Sequence, residues 1–276
     1  MLLDRPKQTQ SSIKAEINYI KSNTSTAFDL STTVKSATKL TEHVDTRLVE
    51  IMNARLLSQT PSLNSDGFGL AKNGYVVSNY FDDNVVQTEL YPQIIKHLLN
   101  ETNASQGLVF DHTIRSVEDN LTRKEKRSPI HTVHNDYVVS SAENRLSIEL
   151  KKNGLNPHNY KKFQFINTWI PLVDEVLDSP LALGDIRTFQ PEQSQKLQVA
   201  YPDRIGEIEA FTYNENNRWY FYPRMTSQEQ LNFKVFDSDI NNVISRAPHS
   251  AFSLPMSHEK SLARISIEVR SIVLFD

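Results

Sequence analysis

The sequence predicts a mainly β domain of α+β type: an antiparallel sandwich or jelly roll, cupin-like, with helices packed outside. Three observations carry this. Helix-spaced apolar residues dominate the first hundred positions. After Gly107 the apolar residues fall into short extended runs, several of them alternating. Only seven glycines occur, and none of them builds a phosphate loop, which removes the common nucleotide folds. A chain of 276 residues, 38% hydrophobic, is ample for a real core. The expectation is one domain over 1–276, with a mostly helical part, 1–105, packed on a strand-rich part, 106–276.

Taken in order, Leu40, Val44, Leu48, Ile51, Met52 and Leu56 recur at helical spacing and predict a helix within 40–58. Leu90, Ile94, Ile95, Leu98 and Leu99 predict another over 90–100. Leu108-Val109-Phe110 and the run Ile130 to His134 read as short strands, separated by the charged loop 118–128. Ser140 to Glu143 has the form of a capping box and should open a helix reaching about Asn153-Gly154. Residues 163–170, 206–213, 218–222 and 264–270 read as strands. Asp178-Ser179-Pro180 reads as a turn, and Thr226 to Glu229 as the cap of one further short helix.

Composition excludes several chemistries. With no cysteine there are no disulfides, thiolate metal sites or thiol nucleophiles. The 30 Lys+Arg against 33 Asp+Glu, with no basic block, argue against a nucleic-acid partner. The run Arg123 to Arg127 is short, interrupted by Glu125, and reads as a solvated loop. Gly67-Phe68-Gly69 has Lys72 where a dinucleotide fingerprint needs its third glycine, and no nucleophile elbow is present. No apolar segment follows Met1 to Pro6, and no run approaches membrane-spanning length. The expectation is a cytoplasmic protein acting on a small molecule without a membrane; oligomeric state is not encoded.

A metal site here must use His, Asp and Glu. Two of the eight histidines open a His-x-Asp, at His43-Val44-Asp45 and His134-Asn135-Asp136. Chance alone gives about half an occurrence, so the tripeptide is weak by itself. In the helix predicted for 40–58, positions i and i+2 diverge. At a strand end alternate side chains share a face, so His134 and Asp136 can grip one ion. A facial triad needs a second histidine and leaves positions open. His249, just ahead of the last strand, is the candidate; His258, in a polar loop, is its competitor. The last strand then puts Arg264, Ser266, Glu268 and Arg270 on one face. An inward arginine seeks a planar anion, and Arg264-x-Ser266 suits the far carboxylate of 2-oxoglutarate.

From Gly67 onward, about three quarters of the chain resembles the hydroxylase/desaturase family of Fe(II)/2-oxoglutarate oxygenases of secondary-metabolite clusters, cephamycin-cluster and fungal endoperoxide-forming members included. The matching blocks are Val109 to Arg115, Val133 to Tyr137, Asn167 to Pro171, Asp178 to Leu183, Arg218 to Met225, Pro248 to Phe252 and Ser266 to Arg270. The resemblance implies a double-stranded β-helix, Fe(II) held by His134, Asp136 and His249, and 2-oxoglutarate and O2 as co-substrates. It implies that Arg264, Arg270 or both hold 2-oxoglutarate. Asn217 departs from the pattern, where a histidine is frequent.

Around that centre, Asn167 shares a strand face with Trp169 and is placed to reach a ligand, with Ser266 beside Arg264. Tyr137, Trp169 and Trp219 are candidate cavity walls. Arg115, Arg145, Arg218 and Arg224 look surplus to co-substrate binding and point to a carboxylated, amino-acid-derived substrate. Oxidative cyclisation of the kainoid-forming type, known from marine algae, is the specific expectation; hydroxylation or desaturation are the others. The alternatives are the same chemistry on a neutral terpenoid or polyketide, a metal-dependent isomerase or lyase, and a non-catalytic jelly-roll binding module.

Overall fold

A computed structural model of the chain describes residues 10–22, 28–29, 43–116, 127–200, 205–254 and 263–276. His258 and most of the charged loop, 118–126, lie outside these residues.

Two sheets face each other. The larger has nine strands, in the order β1 (Ser12–Ile20), β3 (Val44–Asn53), β11 (Trp219–Phe221), β8 (Leu181–Gly184), β13 (His249–Ala251), β6 (His134–Asn135), β10 (Ile205–Phe211), β9 (Ser194–Ala200) and β2 (Phe28–Asp29). The smaller runs β4 (Phe68–Lys72), β12 (Glu229–Asp237), β7 (Lys162–Pro171), β14 (Ile265–Phe275) and β5 (Gln106–Ser116). All pairings in the smaller sheet are antiparallel. The architecture is the expected jelly-roll, double-stranded β-helix.

Alternation along the strands sends side chains into separate cores. Between the sheets lie Phe68, Phe165, Trp169, Leu183, Tyr222, Leu231 and Phe233. The outer face of the smaller sheet (Ile166, Ile170, Ile267, Val269, Val273) is covered by Ile94 and Leu98 of helix α1 (Tyr91–Thr102). Each such fully buried side chain contributes about 1.5–3 kcal/mol. A third core (Ile17, Tyr19, Ile51, Trp219, Phe221, Phe252) fills a curl of the larger sheet. There β1 comes back against the segment before β6: Asn18 bridges Thr132, and the Val133 amide donates to the Asn18 carbonyl at 2.8 Å.

The first hundred residues are less helical than their spacing predicts. Within 40–58 the described residues form the strand β3 from Val44 to Asn53, paired with β1 from Val44 to Met52, and a short 3-10 turn, Ala54–Leu56. Val44, Thr46, Val49 and Ile51 are β-branched and suit a pleated surface, and Leu48, an apparent helix-face residue, is 65% exposed. So the geometric ground for setting His43-x-Asp45 aside was wrong. The pair sits at a strand start, and Asp45 is committed to Arg47 at 2.8 Å. The 90–100 helix is α1. The helix expected from Ser140 is α2 (Val139–Lys152); Ser141 Oγ, not Ser140, receives the Val138 amide at 3.1 Å. Thr226 to Glu229 forms a turn into β12 instead of a helix. Its local bond is made, from the Thr226 amide to the Glu229 carboxylate at 3.1 Å, but Glu229 then pairs with Arg55 across the sheet.

Candidate metal centre

β6 and β13 are neighbours in the larger sheet, and their register sets His134 directly opposite His249. The two rings lie 4.3 Å apart, centroid to centroid. Asp136 follows at the bend after β6 and comes back to the same side. Its Oδ1 stands 3.7 Å from Nε2 of His134 and 3.8 Å from Nε2 of His249. Among the described residues this is the one group of three His or carboxylate side chains close enough to share an ion.

The hydrogen bonds prepare the donors. Nδ1 of His134 lies 2.8 Å from the Thr132 carbonyl, and Nδ1 of His249 lies 3.1 Å from the Ala247 carbonyl. A carbonyl only accepts, so each Nδ1 donates its proton there, and Nε2 is the atom that each ring turns toward Asp136. Burial, then the neighbouring His249, pulls His134 down to about 4 and keeps it neutral. Burial pushes Asp136 up, but Arg270, the two histidines and the Asn167 hydrogen bond outweigh it. They hold the carboxyl below the usual carboxylate range. Two imidazoles and one carboxylate on a single side are the donor set of a divalent iron site with open positions.

The face of β14 that the sequence singles out points between the sheets. Arg264 is fully buried, lies over the Trp169 ring at 5.3 Å, and donates through one terminal nitrogen to the Ser179 carbonyl of the predicted turn. Its Nε, the Ser266 hydroxyl and the Trp169 indole nitrogen are buried and find no hydrogen-bond partner among the described residues. Unsatisfied donors at one place in a low-dielectric interior fit a carboxylate. Burial, reinforced by Arg115, pulls Arg264 down to about 9, as expected of a guanidinium short of counter-charge.

Arg270 and Asn167 are spoken for inside the protein. Asn167 Nδ2 donates to Asp136 Oδ2 at 2.8 Å. Arg270 reaches Asp136, Asp111, Thr113 and Glu268. Arg115 is buried, bonds the Ser128 carbonyl at 3.1 Å and stands 3.9 Å from Glu268. Glu268 was legible as a member of this face, but its role as the shared counter-charge was not. An acidic residue alternating with three inward polar ones was the available signal.

The proposed pocket residues divide. Trp169 lies beside Arg264, and Tyr137 packs on Phe165 at 4.7 Å, next to Asp136. Three others are engaged with other partners. Trp219 is on the opposite face of β11, in the curl of the larger sheet, where its indole donates to the Tyr19 hydroxyl at 2.8 Å. Arg218 is 59% exposed and faces Asp185 at 3.8 Å. Arg224 is bound to Glu175. Trp219 alternates with Tyr220 and Tyr222 along the strand, and it is the two tyrosines that join the core between the sheets. Asn217, the departure from the family pattern, ties Thr188 and Gln193 together.

A jelly roll with a His-Asp-His centre and a buried Arg-x-Ser defines the non-haem iron, 2-oxoglutarate class of oxygenase. Comparison with known proteins agrees. The sequence model of the Oxidoreductase/YMDC permease-like domain family matches residues 17–274, and the chain belongs to that family. No helix among the described residues is long and apolar enough to cross a membrane. The chain is 25% identical over 244 residues to the alpha-ketoglutarate-dependent dioxygenase phiK of Fungal sp., covering 85% of this chain and 86% of that protein. It is 26% identical over 238 residues to the hydroxylase/desaturase efuI of Hormonema carpetanum, covering 78% and 79%. The structure of the iron and alpha-ketoglutarate-dependent endoperoxidase NvfI superposes with a TM-score of 0.81 at 20% identity, covering 96% of this chain and 98% of that one. At that identity the superposition establishes the fold.

Proposed function

We propose that the protein is an Fe(II)- and 2-oxoglutarate-dependent oxygenase that oxidises an unactivated C–H bond of a small metabolite in secondary metabolism. The observation that carries it is the convergence of His134 Nε2, His249 Nε2 and Asp136 Oδ1, with each imidazole Nδ1 turned to a backbone carbonyl. With iron bound, 2-oxoglutarate and O2 supply the oxidising power, and the co-substrate leaves as succinate and CO2.

The chain's own part is binding, orientation and exclusion of water. His134, Asp136 and His249 hold the ion. Arg264 through its Nε and Ser266 through its hydroxyl, which find no partner among the described residues, receive the distal carboxylate of 2-oxoglutarate. Phe110, Phe165 and Tyr137 form an aromatic wall beside Asp136.

The substrate is the finer part of the proposal. Of the four arginines behind the carboxylated, amino-acid-derived reading, Arg218 and Arg224 are paired away from the centre and Arg115 faces Glu268. The fourth, Arg145, lies over the Phe110 ring at 5.5 Å and is itself paired with Glu149 at 3.1 Å, so none of the four is an uncommitted cation for that reading or for kainoid-type ring closure. The aromatic wall and the missing cations favour a second reading: the same chemistry on a neutral terpenoid or polyketide. A cytoplasmic enzyme with no nucleic-acid partner fits the mixed surface charge.

Anaerobic addition of Fe(II) and 2-oxoglutarate should give a weak visible charge-transfer band. His134→Ala, Asp136→Ala and His249→Ala should each lose it together with succinate release, whereas His43→Ala keeps both. A His249→Ala protein with the full band would end the proposal. A panel of neutral metabolites, small carboxylates and N-prenylated amino acids, scored by stimulated succinate release, decides between the substrate readings.

A further inference from the structure

Arg270 lies on the same strand face as Arg264, six residues on, and looks like a second anion anchor. Its surroundings contradict that role. Every polar atom of its guanidinium has a partner: Nε faces Asp136 Oδ2 at 3.4 Å, one terminal nitrogen donates to Thr113 Oγ1 at 2.9 Å and Asp111 at 3.2 Å, and the other donates to Glu268. Arg264, by contrast, keeps a buried Nε with no partner among the described residues. The two arginines are therefore not equivalent.

The geometry at Asp136 is equally one-sided. Oδ2 receives Asn167 Nδ2 at 2.8 Å and faces Arg270 Nε, while Oδ1 alone faces both imidazoles. A carboxylate with one oxygen held by two protein donors has only the other to offer an ion. The partners come from adjacent strands in register: Arg270 opposite Asn167 on β7 and opposite Asp111 on β5. The register of β14 against β5 shifts at that point, with Phe110 of β5 as the extra residue between the partners of Arg270 and Ser271, and such bulges re-aim side chains. Glu268, buried between Arg270 and Arg115, supplies the charge that lets a guanidinium rest here at all.

We propose that Arg270 is a positioning residue, not a co-substrate anchor: with Asn167 it fixes Asp136 as a one-oxygen ligand, and Glu268 holds it there. This deepens the metal site proposed above and rests on it. Partners of this kind commonly govern metal affinity by about 10- to 100-fold.

The test separates metal affinity from co-substrate affinity, using Co(II) as the probe so that turnover is not needed. Co(II) is titrated into the protein by its visible absorption, and 2-oxoglutarate is then titrated into the Co(II)-saturated protein. Arg270→Gln should weaken Co(II) binding by about 10-fold or more and change the absorption of the bound ion. Its 2-oxoglutarate affinity at saturating Co(II) should stay near wild type. Arg270→Lys, which keeps the charge but not the fork, should recover part of the loss. Asn167→Leu removes the other donor to Oδ2 and should weaken Co(II) in the same direction. If Arg270→Gln does not fold because Glu268 is left bare, the double variant Arg270→Gln/Glu268→Gln removes both charges and should show the same loss. Unchanged Co(II) affinity with weakened 2-oxoglutarate, in whichever of these variants folds, would overturn the assignment and make Arg270 an anchor. Failure of the wild type to bind Co(II) would instead overturn the metal site itself.

Discussion

Replacing Arg264 by methionine takes a single charge out of the slot between the sheets. Methionine keeps much of the length that packs on Trp169, so the backbone of β14 has no reason to move. The lost guanidinium leaves the Ser179 carbonyl without its bond and leaves an incoming carboxylate with Ser266 and the Trp169 indole alone. Truncating one member of a buried hydrogen-bonded charge pair costs about 2–5 kcal/mol. Because two neutral donors remain, the lower end applies, and about 2 kcal/mol corresponds to roughly a 30-fold weaker 2-oxoglutarate complex. The assay is calorimetric titration of 2-oxoglutarate into Co(II)-loaded wild-type and Arg264→Met protein, with the Co(II) affinity of each measured separately. An Arg264→Met protein that binds Co(II) normally and 2-oxoglutarate within about twofold of wild type, a difference of only ~0.4 kcal/mol, would refute the reasoning.

Three further outcomes follow from the packing. Arg218→Ala and Arg224→Ala should leave substrate-stimulated succinate release at the wild-type level, since both are paired away from the centre; a large loss in either would return it to the pocket. Gly184→Ala would bring a Cβ within 2.7 Å of the Phe189 ring and 3.3 Å of the Pro248 carbonyl, beside His249. Overpacking of this kind costs about 1–3 kcal/mol, so thermal melting should show a Tm several degrees lower, and an unchanged Tm would contradict the close approach. Burial holds the phenols of Tyr19, Tyr75, Tyr91, Tyr137 and Tyr222 above the usual range. The native state keeps protons that the unfolded chain loses near pH 10, so stability falls as pH rises past that point, by about 1.4 kcal/mol per pH unit for each phenol. Phenolate absorbance should therefore rise together with loss of the circular-dichroism signal; phenols that ionise with the fold intact would refute the burial.

The sequence alone determined the local parts of the centre. His134 and Asp136 at a strand end, and Arg264 with Ser266 on one face, were legible because strand alternation is a property of neighbouring residues; His249 was one of two candidates, and the family resemblance carried its choice over His258. It did not determine which face of a strand meets the site: Trp219 and Tyr220 alternate, yet only the packing of β11 between two cores decides which side is which. Nor did it settle β3, whose apolar residues fit a helical period until pairing with β1 satisfies its backbone. Tertiary structure also chose the partners of each charge. Arg270 meets Asp136 across 134 residues of chain and Glu268 across two. Arg264, chemically the same residue on the same face, is left with donors to spare. Periodicity encodes direction, but the carboxylate a buried guanidinium finds is supplied by other strands, and their register exists only in the folded sheet.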